Sequence, residues 1–229
     1  MAELSADRRP GPLRALVVHA HPEPRSFVAA MRDVAVAALE GAGVATTVSD
    51  LYAEGFEAVA SRRDFATVAD PGRFHLQDEQ LHASRHDGFV EEVRREQERL
   101  AEADLLLLTF PLWWGGVPAV LKGWFDRVLA YGFAYEDGRR YDSGMLTGRH
   151  GLLGVSTGGT RRRFSAGDAY GDIEQVLWPT QRCMVEYLGL AAAPPFVAYA
   201  APRVEHAERA AYLDQWAQRV RDLVAAAGG

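Results

Sequence analysis

The chain has 229 residues, 48% of them hydrophobic and 24% charged, enough to bury a full core in one generous α/β domain. Its net charge of −6, with arginines scattered or in short clusters and Lys122 as the only lysine, offers no basic field for nucleic acid. A lone Cys183 excludes an internal disulfide framework and an all-cysteine metal site, nothing at the N-terminus has the order of a signal peptide, and no apolar run approaches the roughly 18 residues of a membrane span. The expected location is the cytoplasm, without membrane insertion.

Residues 1–12, rich in charge, Pro and Gly, read as a disordered leader, and 13–229 as a single domain. Leu13 to Ala20 is a first predicted strand, and the HPEPRS turn leads into a helix from about Ser26 to Glu40, with Phe27, Ala30, Met31, Val34 and Ala38 on one face. Gly41 and Gly43 end it. Val44 to Val48 is a second strand. Leu51 to Asp87 is polar and aperiodic, and is expected to be a long excursion with little regular structure, of the kind that is often functional. A polar helix over Phe89 to Ala103 precedes the third strand, Asp104 to Phe110, whose apolar block is the mark of a strand covered on both faces.

After that strand comes a Pro-aromatic loop, Pro111-Leu112-Trp113-Trp114-Gly115-Gly116, and then a helix started by Pro118, with Val117, Val120, Leu121, Trp124, Phe125 and Val128 at helical spacing. His150 to Thr157 is a fourth strand ending in Thr157-Gly158-Gly159-Thr160. Asp172 to Leu188 is helical in outline and interrupted near Trp178-Pro179. Pro195 to Tyr199 is a last strand, followed by a helix carrying Leu213, Trp216, Val220 and Leu223 on one face. Five strands alternating with helices predict a doubly wound parallel sheet in the order 2-1-3-4-5, with helices on both faces.

Open parallel sheets bind ligands at the carboxyl ends of their strands, and three segments fall there. In His21-Pro22-Glu23-Pro24-Arg25-Ser26, an imidazole, a hydroxyl and the free amides opening the next helix make an anion cradle, against the plainer reading of an ordinary βα turn. His19 and His21 flank Ala20, but no third ligand of suitable spacing accompanies them, so no metal is expected and a hydrogen-bonding turn histidine is the default. Thr157-Gly158-Gly159 allows close backbone approach to a flat ligand, or is a simple turn. Arg161 to Arg163 read as a solvated loop, with contact to a dinucleotide phosphate as the alternative. Tyr131, Phe133, Tyr135 and Tyr141 are pocket wall, core or subunit contact. Ser26 and Ser156 lack a nucleophile-elbow setting and Cys183 has no identifiable base. An apolar, donor-lined site of this kind suits chemistry carried by a cofactor.

At LVVHAHPEPRSF, SDLYAEGF, TFPLWWGGVPAVLKGWFDRV, GFAYEDGRRYDSG, STGGT and IEQVLWPTQRCMVEYLGL, the chain resembles the NAD(P)H:quinone oxidoreductase family, dimeric flavoenzymes of flavodoxin-like fold. The similarity spans nearly all of Ala15 to Arg221. It implies that His21, Ser26 and Phe27 hold the flavin pyrophosphate, and that Pro111, Leu112, Trp113, Trp114 and Gly115 line the ribityl chain and isoalloxazine edge. It also implies that Thr157, Gly158 and Gly159 face the pyrimidine end, where negative charge develops on reduction. Arg209 falls where relatives have an adenine-side arginine, which favours FAD over FMN. Tyr135 of the partner subunit would cap a pocket in which NAD(P)H and a quinone-like acceptor take turns in a ping-pong, two-electron cycle.

Animal members of the family have a Tyr and a His in the loop after the Gly-Gly, where this chain has Phe164 and Tyr170, and a Gln where it has Trp113. Flavin binding and hydride transfer are expected to persist, with Tyr170 as the remaining donor on the acceptor side and Phe164 and Trp113 making that side more aromatic. The extra C-terminal segment of the animal enzymes is expected to be absent. The rival reading is a flavin-binding ancillary subunit of a cation-efflux transporter, a class that resembles the same family.

Overall fold

Leu105–Pro111 (β3) is buried at every residue, as its apolar run requires, and forms the centre of a parallel sheet. The computed structural model describes residues 11–228. Most of the expected leader, residues 1–10, therefore lies outside the described residues, and Gly11 and Pro12 are exposed. Arg14–His19 (β1) pairs on one side of β3, with Ala45–Asp50 (β2) beyond it, and His150–Ser156 (β4) pairs on the other side. The order of the first four strands is β2-β1-β3-β4, as expected. The fifth place is split between two short strands, Ala191–Ala192 (β5) and Phe196–Ala198 (β6), both parallel to β4. Pro194 and Pro195 stand between them, and prolines have no N–H to give to a ladder.

Alternation along the strands sends Leu16 and Val18 to one face and Ala15 and Val17 to the other, each into its own core. Phe27–Gly41 (α1) and His206–Gly228 (α6) cover the second face. There Trp216 lies over Gly154 and donates its indole N–H to the Met31 carbonyl at 2.8 Å. The buried line of α1 is Val28, Met31, Ala35 and Leu39, one position round from the predicted face, of which only Met31 is fully buried. Phe27, Val34 and Ala38 are half-buried at its edge.

The first face carries Leu76–His86 (α2), Glu91–Glu102 (α3), Ala119–Val128 (α4) and Ile173–Thr180 (α5). Helix α2 corrects the expectation of an irregular excursion over 51–87. Its inward residues are Glu79, Gln80, Ala83 and Ser84, so it shows no apolar stripe. Polar partners hold it instead. The Glu79 carboxylate accepts from the amide of Ala69 at 2.8 Å and pairs with Arg62 at 3.2 Å, and the Gln80 side chain bonds the Asp126 carbonyl and the Tyr131 amide. The excursion is tied down further by Arg127, which is buried against Asp64 at 3.0 Å and stacked over Phe56 at 4.8 Å.

Helix α5 runs through Pro179 rather than breaking there, and the chain widens into a π-type turn over Gln181–Glu186 directly afterwards. Proline cannot donate to the turn before it, and the next turn absorbs the mismatch.

Candidate active site

The carboxyl ends of β1, β3 and β4 bring three loops to one edge of the sheet. After β1, the Ala20 amide bonds the Thr109 carbonyl, and Ser26 N–H closes a turn on Glu23 at 3.1 Å. Ser26 caps α1 by accepting the Ala29 amide at 3.0 Å. The amides of Phe27 and Val28 have no acceptor among the described residues, as the first turn of any helix leaves them. His21 Nδ1 accepts the Glu23 amide at 3.0 Å, which in the neutral ring places the proton on Nε2. Partial burial lowers its pKa and so favours that neutral ring. His21, Ser26 and the two amides thus form a donor-lined cradle suited to a phosphate.

His19 is not part of that surface. It is fully buried in β1, bonded through Nδ1 to Thr109 Oγ1 at 3.0 Å, with Nε2 unpartnered, and burial lowers its pKa to about 4 despite the opposing charge of Asp50.

After β3, the Leu112 amide bonds the Ser156 carbonyl at 2.8 Å and keeps the loop against β4. Trp113 and Gly116 then exchange two backbone hydrogen bonds at 3.0 Å, around a two-residue turn with φ of 52° at Trp114 and 74° at Gly115. Both central residues of such a turn are left-handed, which glycine tolerates and tryptophan resists. Trp114 is held there fully exposed. A strained conformation that presents a large aromatic ring to solvent is better explained by a ligand than by packing. The Trp113 ring folds back to 5.9 Å from the His21 ring, tilted by 58°, and joins the first two loops.

After β4, Thr157 spends its amide on the Ala198 carbonyl and its hydroxyl on the Gly159 carbonyl. The Gly159 carbonyl also accepts from Ala200, and the Gly158 carbonyl accepts from Arg203 Nη1. Both carbonyls are therefore occupied, while the amides of Gly158 and Gly159 have no acceptor among the described residues. Two free donors next to a flat wall are suited to stabilise developing negative charge.

Phe164 and Tyr170 pack together at 5.0 Å beside this loop, and a Cβ on Gly159 would meet their rings at 2.8 and 2.9 Å. The structure thus places these two residues at the third loop. Arg161 stacks on Tyr199 at 4.6 Å. Arg209 lies in the first turns of α6, half-buried, with its guanidinium on the Val204 carbonyl at 2.7 Å. Arg203, which the sequence reading missed, is the arginine that touches the glycine loop. Its only sequence signal is its place after the last strand, at the same edge of the sheet.

Tyr135 follows α4 and packs toward α2 and α5. Its hydroxyl accepts from Gln77 at 3.1 Å, its ring meets Tyr187 at 6.2 Å, and it lines a cavity of about 580 Å³ between α2, α4 and α5 that also reaches Gly115 and Gly116.

A model of the family described as having a flavodoxin-like fold matches residues 14–220. The ribosyldihydronicotinamide dehydrogenase (quinone) of Pongo abelii is 38% identical over 211 residues, covering 92% of this chain and 91% of that protein. The NAD(P)H dehydrogenase (quinone) 1 of Cavia porcellus is 36% identical over 211 residues, covering 92% and 77%. Among solved structures, a Klebsiella pneumoniae protein assigned as a quinone reductase superposes with a TM-score of 0.87 at 32% identity, covering 92% of this chain and 85% of that one. An NAD(P)H:quinone oxidoreductase from Methanothermobacter marburgensis superposes with a TM-score of 0.71 at 25% identity, covering 93% and 98%.

Proposed function

We propose that this chain, which belongs to the flavodoxin-like family and within it to the NAD(P)H dehydrogenases (quinone), is a flavin-dependent oxidoreductase that reduces quinones or similar planar acceptors by two electrons at the expense of NAD(P)H. One observation carries the reading. The His21 cradle, the Trp113-Trp114 turn and the free amides of Gly158 and Gly159 lie at one edge of the sheet, the first two joined by the His21–Trp113 contact and the second held against β4 by the Leu112–Ser156 bond. A phosphate-binding end, a flat aromatic wall and a pair of donors are the three requirements of a flavin, so the residues present fit the group.

When bound, the flavin supplies the hydride chemistry. Around it the chain has defined tasks. His21, Ser26 and Phe27 bind the phosphate end, and Pro111, Leu112, Trp113, Trp114 and Gly115 wall the ring and its ribityl chain. Gly158 and Gly159 direct N–H donors at the pyrimidine edge, and Gly158 is the donor we place at the reacting group. Thr157 anchors that loop through its two backbone contacts. Tyr170 is the hydroxyl on the acceptor side and Phe164 its apolar neighbour.

We take the flavin to be FAD rather than FMN because Arg209 stands where relatives carry an adenine-side arginine; its guanidinium rests on the Val204 carbonyl at the start of α6. We also take the protein to be a homodimer in which the partner subunit's Tyr135 covers the acceptor pocket, a reading that rests on the resemblance to the family. The flavin-binding domain is taken as 13–229. Among the described residues no helix is long and apolar enough to cross a membrane, and the cytoplasm is the compartment we assign.

The purified protein is expected to be yellow, to bleach with NAD(P)H, and to regain its flavin absorbance on addition of menadione. A colourless protein that neither FAD nor FMN reconstitutes would overturn the reading.

A further inference from the structure

We propose that Arg161, Arg162, Arg163 and Arg203 form a receptor for a phosphate monoester on the hydride donor, so that the enzyme selects NADPH over NADH; the inference rests on the oxidoreductase reading above. The chain as a whole carries a charge of −6, yet four guanidiniums border the Gly158–Gly159 loop. Arg203 is fixed to the loop itself by its bond to the Gly158 carbonyl. Arg161 is held over the Tyr199 ring at 4.6 Å. A guanidinium stacked in this way keeps its in-plane donors for a ligand.

Arg162 and Arg163 share a single carboxylate, Asp168, at 3.6 and 3.3 Å. Asp172 and Glu174 lie within electrostatic reach of Tyr199, and Glu208, which accepts from the Tyr212 hydroxyl at 3.3 Å, acts on Tyr212 together with Arg161. Asp172 is engaged in capping α5, and among the described residues none of the three forms an ion pair with these arginines.

A purely structural role is a poor account of this cluster. Exposed ion pairs of this length contribute little to stability, and concentrating four like charges on one short rim costs self-repulsion that a scattered arrangement avoids. The neutral carbonyl that Arg203 touches leaves its charge uncompensated. A phosphate monoester is dianionic near neutral pH and matches the forked donors of arginine, so it would satisfy Arg162 and Arg163 better than their shared carboxylate does. The location fits as well. In the proposed arrangement, a dinucleotide whose nicotinamide reacts beside Gly158 and Gly159 leads its adenylate half out over the rim of the same loop. NADPH carries the additional monoester there and NADH does not.

The test compares kcat/KM for NADPH and NADH, with menadione as acceptor, in the flavin-loaded wild type and in R162A/R163A. The wild type is expected to prefer NADPH, and the double variant to lower the NADPH:NADH ratio at least about tenfold, with R162K/R163K retaining part of it. The preference should also weaken as salt is raised. A wild type that uses both donors equally, or a ratio unmoved by the substitutions, overturns the proposal. In the second case, kcat/KM values that fall equally for both donors mean that the arginines meet the pyrophosphate common to them, and values that do not change mean that they meet neither.

Calorimetric titration with adenosine 2′,5′-bisphosphate and with 5′-AMP reads the same site without turnover. Preferential binding of the bisphosphate, lost in R162A/R163A, supports the receptor even if the flavin assay fails. Equal binding of the two nucleotides refutes it even if that assay succeeds.

Discussion

The imidazole of His21 and the indole of Trp113 meet at 5.9 Å, tilted by 58°, and this contact connects the phosphate cradle to the aromatic turn. Aromatic pairs of this geometry are worth about 0.5–1.5 kcal/mol beyond the area they bury. Trp113→Ala is therefore expected to raise the flavin dissociation constant by roughly twofold to twelvefold. Titration of the apoprotein followed by flavin fluorescence measures it. Unchanged affinity would show that Trp113 neither walls the flavin nor positions the His21 loop.

His19 makes folding sensitive to mild acid. Its pKa is about 4 in the folded protein against 6.5 in the open chain, chiefly through burial, with Arg32 and His21 adding to the depression and Asp50 and Asp33 opposing it. Below pH 6.5 the unfolded chain takes up a proton that the folded chain refuses. The contribution is thus fully present above pH 6.5 and is lost as the pH falls to about 4, a change of about 3 kcal/mol. His19→Leu should remove this part of the slope in urea unfolding curves recorded across that range. Parallel slopes for the two proteins would place the titration elsewhere.

What could be read from the residues, and what could not, divides on whether burial is apolar. β3 and β1 are continuous apolar runs, and their order and position followed from that. α2 escaped because it turns Glu79, Gln80 and Ser84 inward and is satisfied by hydrogen bonds and an ion pair, which leave no hydrophobic period. The inner face of α1 was misphased because the helix is rich in alanine, so apolar residues stand on several sides at once. β5 is too short to have a pattern. In the site, the Pro-aromatic turn and the glycine pair announced themselves by residue type. Arg203 did not, since its partner is a backbone carbonyl distant in sequence.

Tyr170 is half-exposed against Phe164, with its hydroxyl available to an acceptor. Tyr170→Phe keeps the ring and removes one donor, so the acceptor half-reaction should slow by about threefold to tenfold, the worth of a single hydrogen bond. Stopped-flow reoxidation by menadione reports that step alone. If the pH–rate profiles of the two proteins superimpose, Tyr170 takes no part in the mechanism.

Gly159→Ala acts on the same wall from behind. The added methyl would stand 2.8 Å from the Phe164 ring and 2.9 Å from the Tyr170 ring, so both must move. At Gly158 the nearest atom to a new Cβ is Arg203 Nη1 at 3.6 Å, an ordinary contact. The first substitution is expected to lower the unfolding free energy by about 1–3 kcal/mol and the second to leave it nearly unchanged. Equal effects in chemical denaturation would contradict the packing described for Phe164 and Tyr170.

Two further glycines set a side-chain obstacle against a backbone one, and the second shows how rigidly the long excursion is attached. A Cβ on Gly154 would meet the Trp216 ring at 2.8 Å and Met31 Cε at 3.3 Å, while one on Gly123 of α4 would stand 2.1 Å from the Ala58 carbonyl oxygen and 2.6 Å from its Cα. The first obstacle is made of side chains, one of them a flexible methionine, and Gly154→Ala should cost about 1–3 kcal/mol. The second is backbone, which cannot rotate away. Replacing glycine by alanine inside a helix ordinarily gains about 1 kcal/mol, so propensity and sterics oppose each other at Gly123. Sterics must win, because the methyl cannot be accommodated unless the excursion lifts off α4 and the buried Arg127–Asp64 pair is pulled apart, a break worth about 3–5 kcal/mol. Gly123→Ala is accordingly expected to destabilise more than Gly154→Ala in urea unfolding and to speed limited proteolysis within residues 57–75. Faster cleavage there only in the Gly154 variant would mean that the excursion is held by something other than its seat on α4.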